Sequence, residues 1–188
     1  MLLDARRSLF LLVDPQERLL SALPGARAEA LAQRWRLLLK AAELLDIPTI
    51  VTRQYPKGLG VLPGTLAQAL PAAVVCRDKT TFSCLADPAI AGLFEGERDQ
   101  VVVAGIETHV CVLQTAFDLL DRGITPFVVA DACGSRHRES HDLATTRFAH
   151  SGVPLVTAES AVFEWLRDAA HPRFRDLAPF IKALAPGD

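Results

Sequence analysis

Several features that would place this chain quickly are missing from it. Its four cysteines (Cys76, Cys84, Cys111 and Cys133) show neither C-x-x-C spacing nor the density of a disulfide scaffold, so reduced thiols are expected. The longest apolar runs, residues 9–13 and 101–106, fall far short of the about 18 residues that a membrane span requires. The N-terminus shows no basic start, apolar run and small-residue cleavage site in succession. A soluble, cytoplasmic protein without a membrane partner is the expectation. Basic residues such as Arg6, Arg7, Arg34, Arg36, Lys40 and Arg53 are scattered, and the formal net charge is −2, which argues against nucleic acid as a partner. No Pro/Gly/Ser-rich stretch, internal repeat or low-complexity segment interrupts the 188 residues, half of them hydrophobic. One domain over 1–188 follows.

What the chain does contain is an alternation of short β-branched runs with helix-period segments. Strands are expected at 8–14, 48–52, 73–76, 100–104, 126–130 and 154–157, and helices at 26–45, 88–93, 110–122, 139–151, 160–167 and 172–184. Such a pattern makes an α/β fold with a doubly wound, Rossmann-like six-stranded parallel sheet, helices on both faces, in the order 3-2-1-4-5-6. Ligands of such sheets bind beyond the carboxyl ends of the strands where the order reverses, here between strands one and four. Strand one ends at Asp14 and strand four leads to Cys111. Topology alone therefore sets a carboxylate and a thiol at the default crevice. The first strand is followed by Asp14-Pro15-Gln16-Glu17-Arg18, with no glycine-rich turn for a pyrophosphate, so neither a dinucleotide cofactor nor a P-loop is expected.

Cys111 falls near the start of a helix, where unpaired N–H groups and the helix dipole stabilise a thiolate. The alternative is a small buried hydrophobe. Asp14 precedes Pro15 and reads equally as a general base or as an N-cap. Lys79 follows the third strand, where lysines are ordinarily solvated. Together the three make a base, a cation and a nucleophile at carboxyl ends of strands. Strand three lies two strands, about 10 Å, from strand one, so a loop carrying Lys79 would have to fold back over the crevice.

The stretches Leu12-Val13-Asp14-Pro15-Gln16, Lys79-Thr80-Thr81-Phe82-Ser83 and Val103-Ala104-Gly105-Ile106-Glu107-Thr108-His109-Val110-Cys111-Val112 resemble the isochorismatase-like cysteine hydrolases, a family that includes nicotinamidases and N-carbamoylsarcosine amidase. The segment Val51-Thr52-Arg53-Gln54-Tyr55-Pro56-Lys57-Gly58-Leu59-Gly60 is similar to the isochorismatase domain-containing subgroup. The resemblance implies an Asp14, Lys79 and Cys111 triad. Asp14 takes the thiol proton, Cys111 attacks a carbonyl carbon, and a thioester forms and is hydrolysed. It further implies a cis peptide at Ile106–Glu107 and an oxyanion hole built from Ile106, Glu107 and Cys111. Gln16, Gln54, Tyr55, Phe82, Glu107 and His109 are the candidate substrate-pocket residues. The resemblance also implies a small-molecule substrate with an amide, ureido or related C–N bond, and a homo-oligomer, the usual state in the family.

This chain departs from the nicotinamidases after its second strand. Those enzymes hold a metal there with an Asp and His cluster, whereas Thr52-Arg53-Gln54-Tyr55 offers neither, so no metal and no cofactor are expected. Glu107 stands where nicotinamidases usually have alanine, and as an acidic group at the pocket edge it favours a polar or cationic substrate. His137 and His141 have i, i+4 spacing that can clamp a metal, but Arg136 and Arg138 beside them favour a solvated helix face. Trp35 and Trp165 read as packing or interface residues. Phe174, Leu177, Phe180 and Ile181 give the last helix an apolar side suited to an interface or to intramolecular packing. A non-catalytic binding or scaffold protein, or a redox sensor using Cys111, is the alternative on the same fold.

Overall fold

The run Ser8–Val13 (β1) is buried at every position, as a strand covered on both faces must be. The computed structural model describes residues 1–184. Parallel to β1 run Thr49–Gln54 (β2), Val75–Lys79 (β3), Gln100–Ile106 (β4), Thr125–Gly134 (β5) and Leu155–Val156 (β6). The sheet order is β3-β2-β1-β4-β5-β6, the doubly wound arrangement expected from the alternating pattern.

Strand periodicity sends alternate residues to opposite faces. Phe10, Leu12, Val51, Val102 and Phe127 join one apolar layer with Trp35, Trp165 and Leu177. These come from Gly25–Leu44 (α2), Ala158–Leu166 (α8) and Phe174–Lys182 (α9). Leu9, Leu11, Val13, Val101 and Val103 join the other layer with Ile90, Leu119 and Phe148. Their helices are Pro88–Ala91 (α5), Leu113–Asp121 (α6) and Arg138–His150 (α7). Both tryptophans pack intramolecularly: Trp35 donates through Nε1 to the Ala132 carbonyl at 2.8 Å and Trp165 to Ser8 Oγ at 2.9 Å. In α9, Leu177 is fully buried, Phe174 and Ile181 lean on the core, and Phe180 is exposed.

Several boundaries differ from the sequence expectation. β3 runs Val75–Lys79 instead of ending at 76, because it is an edge strand whose middle residues are exposed and polar. β5 continues past 130 to Gly134, with a register shift against β4 between Val103 and Gly105. Three short helices, Glu17–Ser21 (α1), Pro56–Leu59 (α3) and Gly64–Ala67 (α4), occupy connections too brief to show periodicity.

Where β1 meets β4, Val13 pairs with Gly105. A Cβ at Gly105 would lie 2.0 Å from the Val13 carbonyl oxygen, and its φ is +131°. Only glycine permits that approach, and it closes the sheet beside Asp14.

Candidate functional site

Asp14 leaves β1 with φ +49°, a left-handed conformation that aspartate tolerates better than most residues. The turn aims its side chain back across the strand ends. Thr52 Oγ1 donates to Asp14 Oδ1 at 2.7 Å, and Lys79 Nζ donates to Asp14 Oδ2 at 2.7 Å. Both side chains of the Lys79–Asp14 pair are fully withdrawn from solvent.

Lys79 is the last residue of β3, so no loop folds back over the crevice. The extended lysine side chain spans the end of β2 by itself. Its ammonium also donates to Gln54 Oε1 at 2.6 Å and to the Thr81 and Phe82 carbonyls, each at 3.2 Å. Burial works against the charged form, but the Asp14 carboxylate, helped by the Cys111 and Cys84 thiols, outweighs it and holds the Lys79 pKa above its ordinary value.

Cys111 sits in a single wide π-turn, Thr108–Val112, which precedes α6. Such turns recur at functional sites. The expected thiolate is not the resting form. Burial pushes the Cys111 thiol up to about 12; the Asp14 carboxylate adds to this by its charge and as a hydrogen-bond acceptor, and the Lys79 ammonium opposes it. Desolvation beside a carboxylate overrides any help from the helix terminus. The arrangement is a neutral thiol beside a carboxylate that can take its proton. Cys84, also buried, approaches Thr52 Oγ1 at 3.9 Å and is pushed up to about 11, chiefly by burial.

The structure gives the other expected pocket residues distinct places. Gln16 is buried and braces the strand ends: its amide donates to the Gln54 and Gly60 carbonyls at 3.0 and 2.7 Å and accepts from Gln54 N–H at 2.7 Å. Gln54 holds Lys79 and donates to the Thr80 carbonyl at 2.8 Å. Both glutamines position the site and neither offers a free carbonyl to substrate. Tyr55 and Phe82 flank Lys79 and remain 54% exposed. Ile106 and Glu107 are joined by a cis peptide. Glu107 accepts from the Arg136 backbone N–H and guanidinium at 3.0 and 3.1 Å. That pairing removes the free negative charge on which a cation preference would depend. His109 Nδ1 and Ser135 Oγ share a hydrogen bond of 2.9 Å.

His137 and His141 do not converge on a common point. His141 Nδ1 shares a 2.9 Å hydrogen bond with Thr108 Oγ1, and His137 is exposed ahead of α7. Among the described residues no group of three His, Cys, Asp or Glu side chains is placed to hold a metal ion. No helix among them is long and apolar enough to cross a membrane. Sequence reasoning passed over Thr52, Ser135 and Arg136. Thr52 alone carried a signal, as a hydroxyl ending the strand next to that of Asp14.

A doubly wound α/β sheet with a thiol, a carboxylate and an ammonium gathered at its topological switch point defines the class of this protein. The chain belongs to the isochorismatase-like hydrolase family, since residues 8–160 match the Isochorismatase domain. It is 37% identical over 182 residues to isochorismatase domain-containing protein 2 of Bos taurus, covering 95% of this chain and 85% of that one. The structure of the MAR1 ribonuclease from Caenorhabditis elegans superposes with a TM-score of 0.92 at 35% identity, covering 100% of this chain and 95% of the other. The YcaC gene product of Escherichia coli, described as an octameric hydrolase of unknown specificity, superposes with a TM-score of 0.81 at 25% identity over 98% of each chain.

Proposed function

We propose that this protein is a metal-independent cysteine hydrolase that cleaves a small amide, ureido or related C–N bond. The buried Lys79–Asp14 ion pair beside the Cys111 thiol carries the reading. A buried pair is weak evidence for stability, since desolvation offsets much of the attraction, so its retention at a switch point points to chemistry. Asp14 accepts the Cys111 proton as sulfur attacks the carbonyl carbon, and the oxyanion is met by the Glu107 and Cys111 N–H groups. Collapse of the adduct breaks the C–N bond, and the departing nitrogen takes the proton from Asp14. Asp14 then takes a proton from water, hydroxide attacks the thioester, and the acid leaves with the thiol restored. Lys79 stays protonated throughout and fixes the carboxylate.

The ribonuclease description of the Caenorhabditis elegans relative raises RNA as a rival substrate. Phosphodiester binding draws on unpaired cations along the backbone, whereas Lys79 and Arg136 are each committed to a carboxylate. The octameric relative supports a homo-oligomer, and exposed Phe163 and Phe180 are available to an interface.

The test is the rate of Cys111 alkylation by iodoacetamide, read by peptide mass spectrometry, followed by an amide, ureide and RNA hydrolysis panel. Labelling of Cys111 that exceeds that of Cys84 and Cys133, falls in Lys79→Ala and changes in Asp14→Asn supports the hydrolase. Uniform labelling indifferent to both variants favours a binding or redox-sensing protein.

A further inference from the structure

Glu107, Thr108 and His109 open the turn that carries Cys111, and each is tied to one neighbouring segment. Glu107 is held by Arg136, Thr108 by His141 and His109 by Ser135. That segment runs from just beyond β5 into the first turn of α7. None of the three contacts is needed for the proton transfers proposed above.

The Thr108–His141 bond differs from the other two in where it lies. Thr108 is fully buried and begins the π-turn, three residues before Cys111. Inside the turn, the Val110 and Val112 N–H groups both donate to the Glu107 carbonyl at 3.1 and 3.3 Å, so displacing Thr108 moves the loop that holds the sulfur. The charges of Arg27 on α2 and of Arg138 and Asp142 on its own helix act on His141. Burial, then the Arg27 charge, lowers the imidazole pKa, with Arg138 adding to this and Asp142 opposing it. The lowered pKa favours the neutral ring, which can share the bond with the Thr108 hydroxyl.

We propose that His141 is a positioning residue for Cys111, acting through Thr108 as a latch on the nucleophile's turn. This rests on the hydrolase reading. Supporting side chains of this kind set orientation without touching the reacting atoms.

The experiment is a double-mutant cycle on Cys111 alkylation by iodoacetamide in the full chain, with Thr108→Val, His141→Leu, the double variant and His141→Asn. Thr108→Val keeps the shape and removes the hydroxyl, so folding is preserved where the histidine variant is at risk; near-ultraviolet circular dichroism checks both. Each single variant is expected to slow labelling about tenfold, with the double variant no slower than either, as one shared contact requires. His141→Asn, which returns an amide near the Nδ1 position, restores the rate.

Additive losses, wild-type rates in both single variants, or an Asn variant as slow as the Leu variant would overturn the latch. Lys79→Ala separates the two readings. Labelling that depends on Lys79 but not on Thr108 and His141 removes the latch alone, and labelling indifferent to Lys79 removes the hydrolase and the latch together.

Discussion

The ammonium of Lys79 lies 2.7 Å from Oδ2 of Asp14, across the end of an intervening strand, with no solvent reaching either side chain. The pair joins the edge strand of the sheet to its centre. It fixes a carboxylate that would otherwise sit buried against two thiols.

Removing one partner leaves the other charge buried without compensation. Lys79→Ala should destabilise the fold by about 3–5 kcal/mol, while the double change Lys79→Met with Asp14→Asn should cost much less. Urea denaturation of the three proteins checks this, and equal losses in the single and double variants would show that the charges do not depend on each other.

Alkaline pH should unfold the protein earlier than an ordinary α/β domain. Cys84, Cys111 and Cys133 are pushed up to about 11, 12 and 12 from an ordinary value of 9.0, in each case chiefly by burial. A group whose pKa is raised by folding keeps its proton longer in the folded state. Its contribution is complete below 9.0 and is lost as the pH climbs through the 9–12 interval. Lys79, also raised, acts in the same sense above its ordinary 10.5. Thermal midpoints should therefore decline steadily above pH 9, and more shallowly in a Cys84→Ala, Cys133→Ala variant. A flat profile up to pH 11 would contradict the burial of these thiols.

The sequence made some of this legible and hid the rest for physical reasons. β1 and β4 are continuous apolar runs, which only strands covered on both faces show, so the ends bearing Asp14 and the Cys111 turn could be placed by topology. β3 could not be bounded, because three of its five residues are exposed and its Arg77-Asp78 pair reads as a loop. The reach of Lys79 was misjudged for the same reason: a residue on a strand needs only its side chain to cross β2. The thiolate expectation failed because burial, which a helix-start motif does not disclose, outweighs a terminal dipole at Cys111. Partners such as His141 and Ser135 lie 33 and 26 residues from the groups they hold, beyond any local pattern.

Gly105 should tolerate no side chain. The Cβ of Gly105→Ala would meet the Val13 carbonyl oxygen at 2.0 Å, and the nearest atoms all belong to the Val13 backbone, so nothing flexible can move. The expected loss is at least about 3 kcal/mol, combining steric overlap with a left-handed φ. Gly92, where an added Cβ would meet nothing within 4 Å, is the matched control. Equal stability of the two alanine variants in urea would mean that β1 and β4 do not approach as closely as described.

The charge balance at the Cys111 turn yields the last prediction. Both Glu107 carboxylate oxygens are occupied by Arg136, one by its backbone N–H and one by its guanidinium. The Glu107 side chain is 10% exposed and that of Arg136 55%. In the wild type the pair is close to electrically neutral from the pocket, so Cys111 should be labelled at similar rates by small reagents that differ only in carrying a positive or a negative group. Arg136→Ala keeps the backbone bond and strips away the guanidinium, leaving a carboxylate whose field extends over about one Debye length. Labelling by the cationic reagent should then rise against the anionic one, by about two- to tenfold at low ionic strength, and the ratio should return toward one as salt is added. Arg136→Ala with Glu107→Gln should abolish the preference without salt. A wild-type protein that already favours the cationic reagent would show that Glu107 acts as a free charge despite its partner.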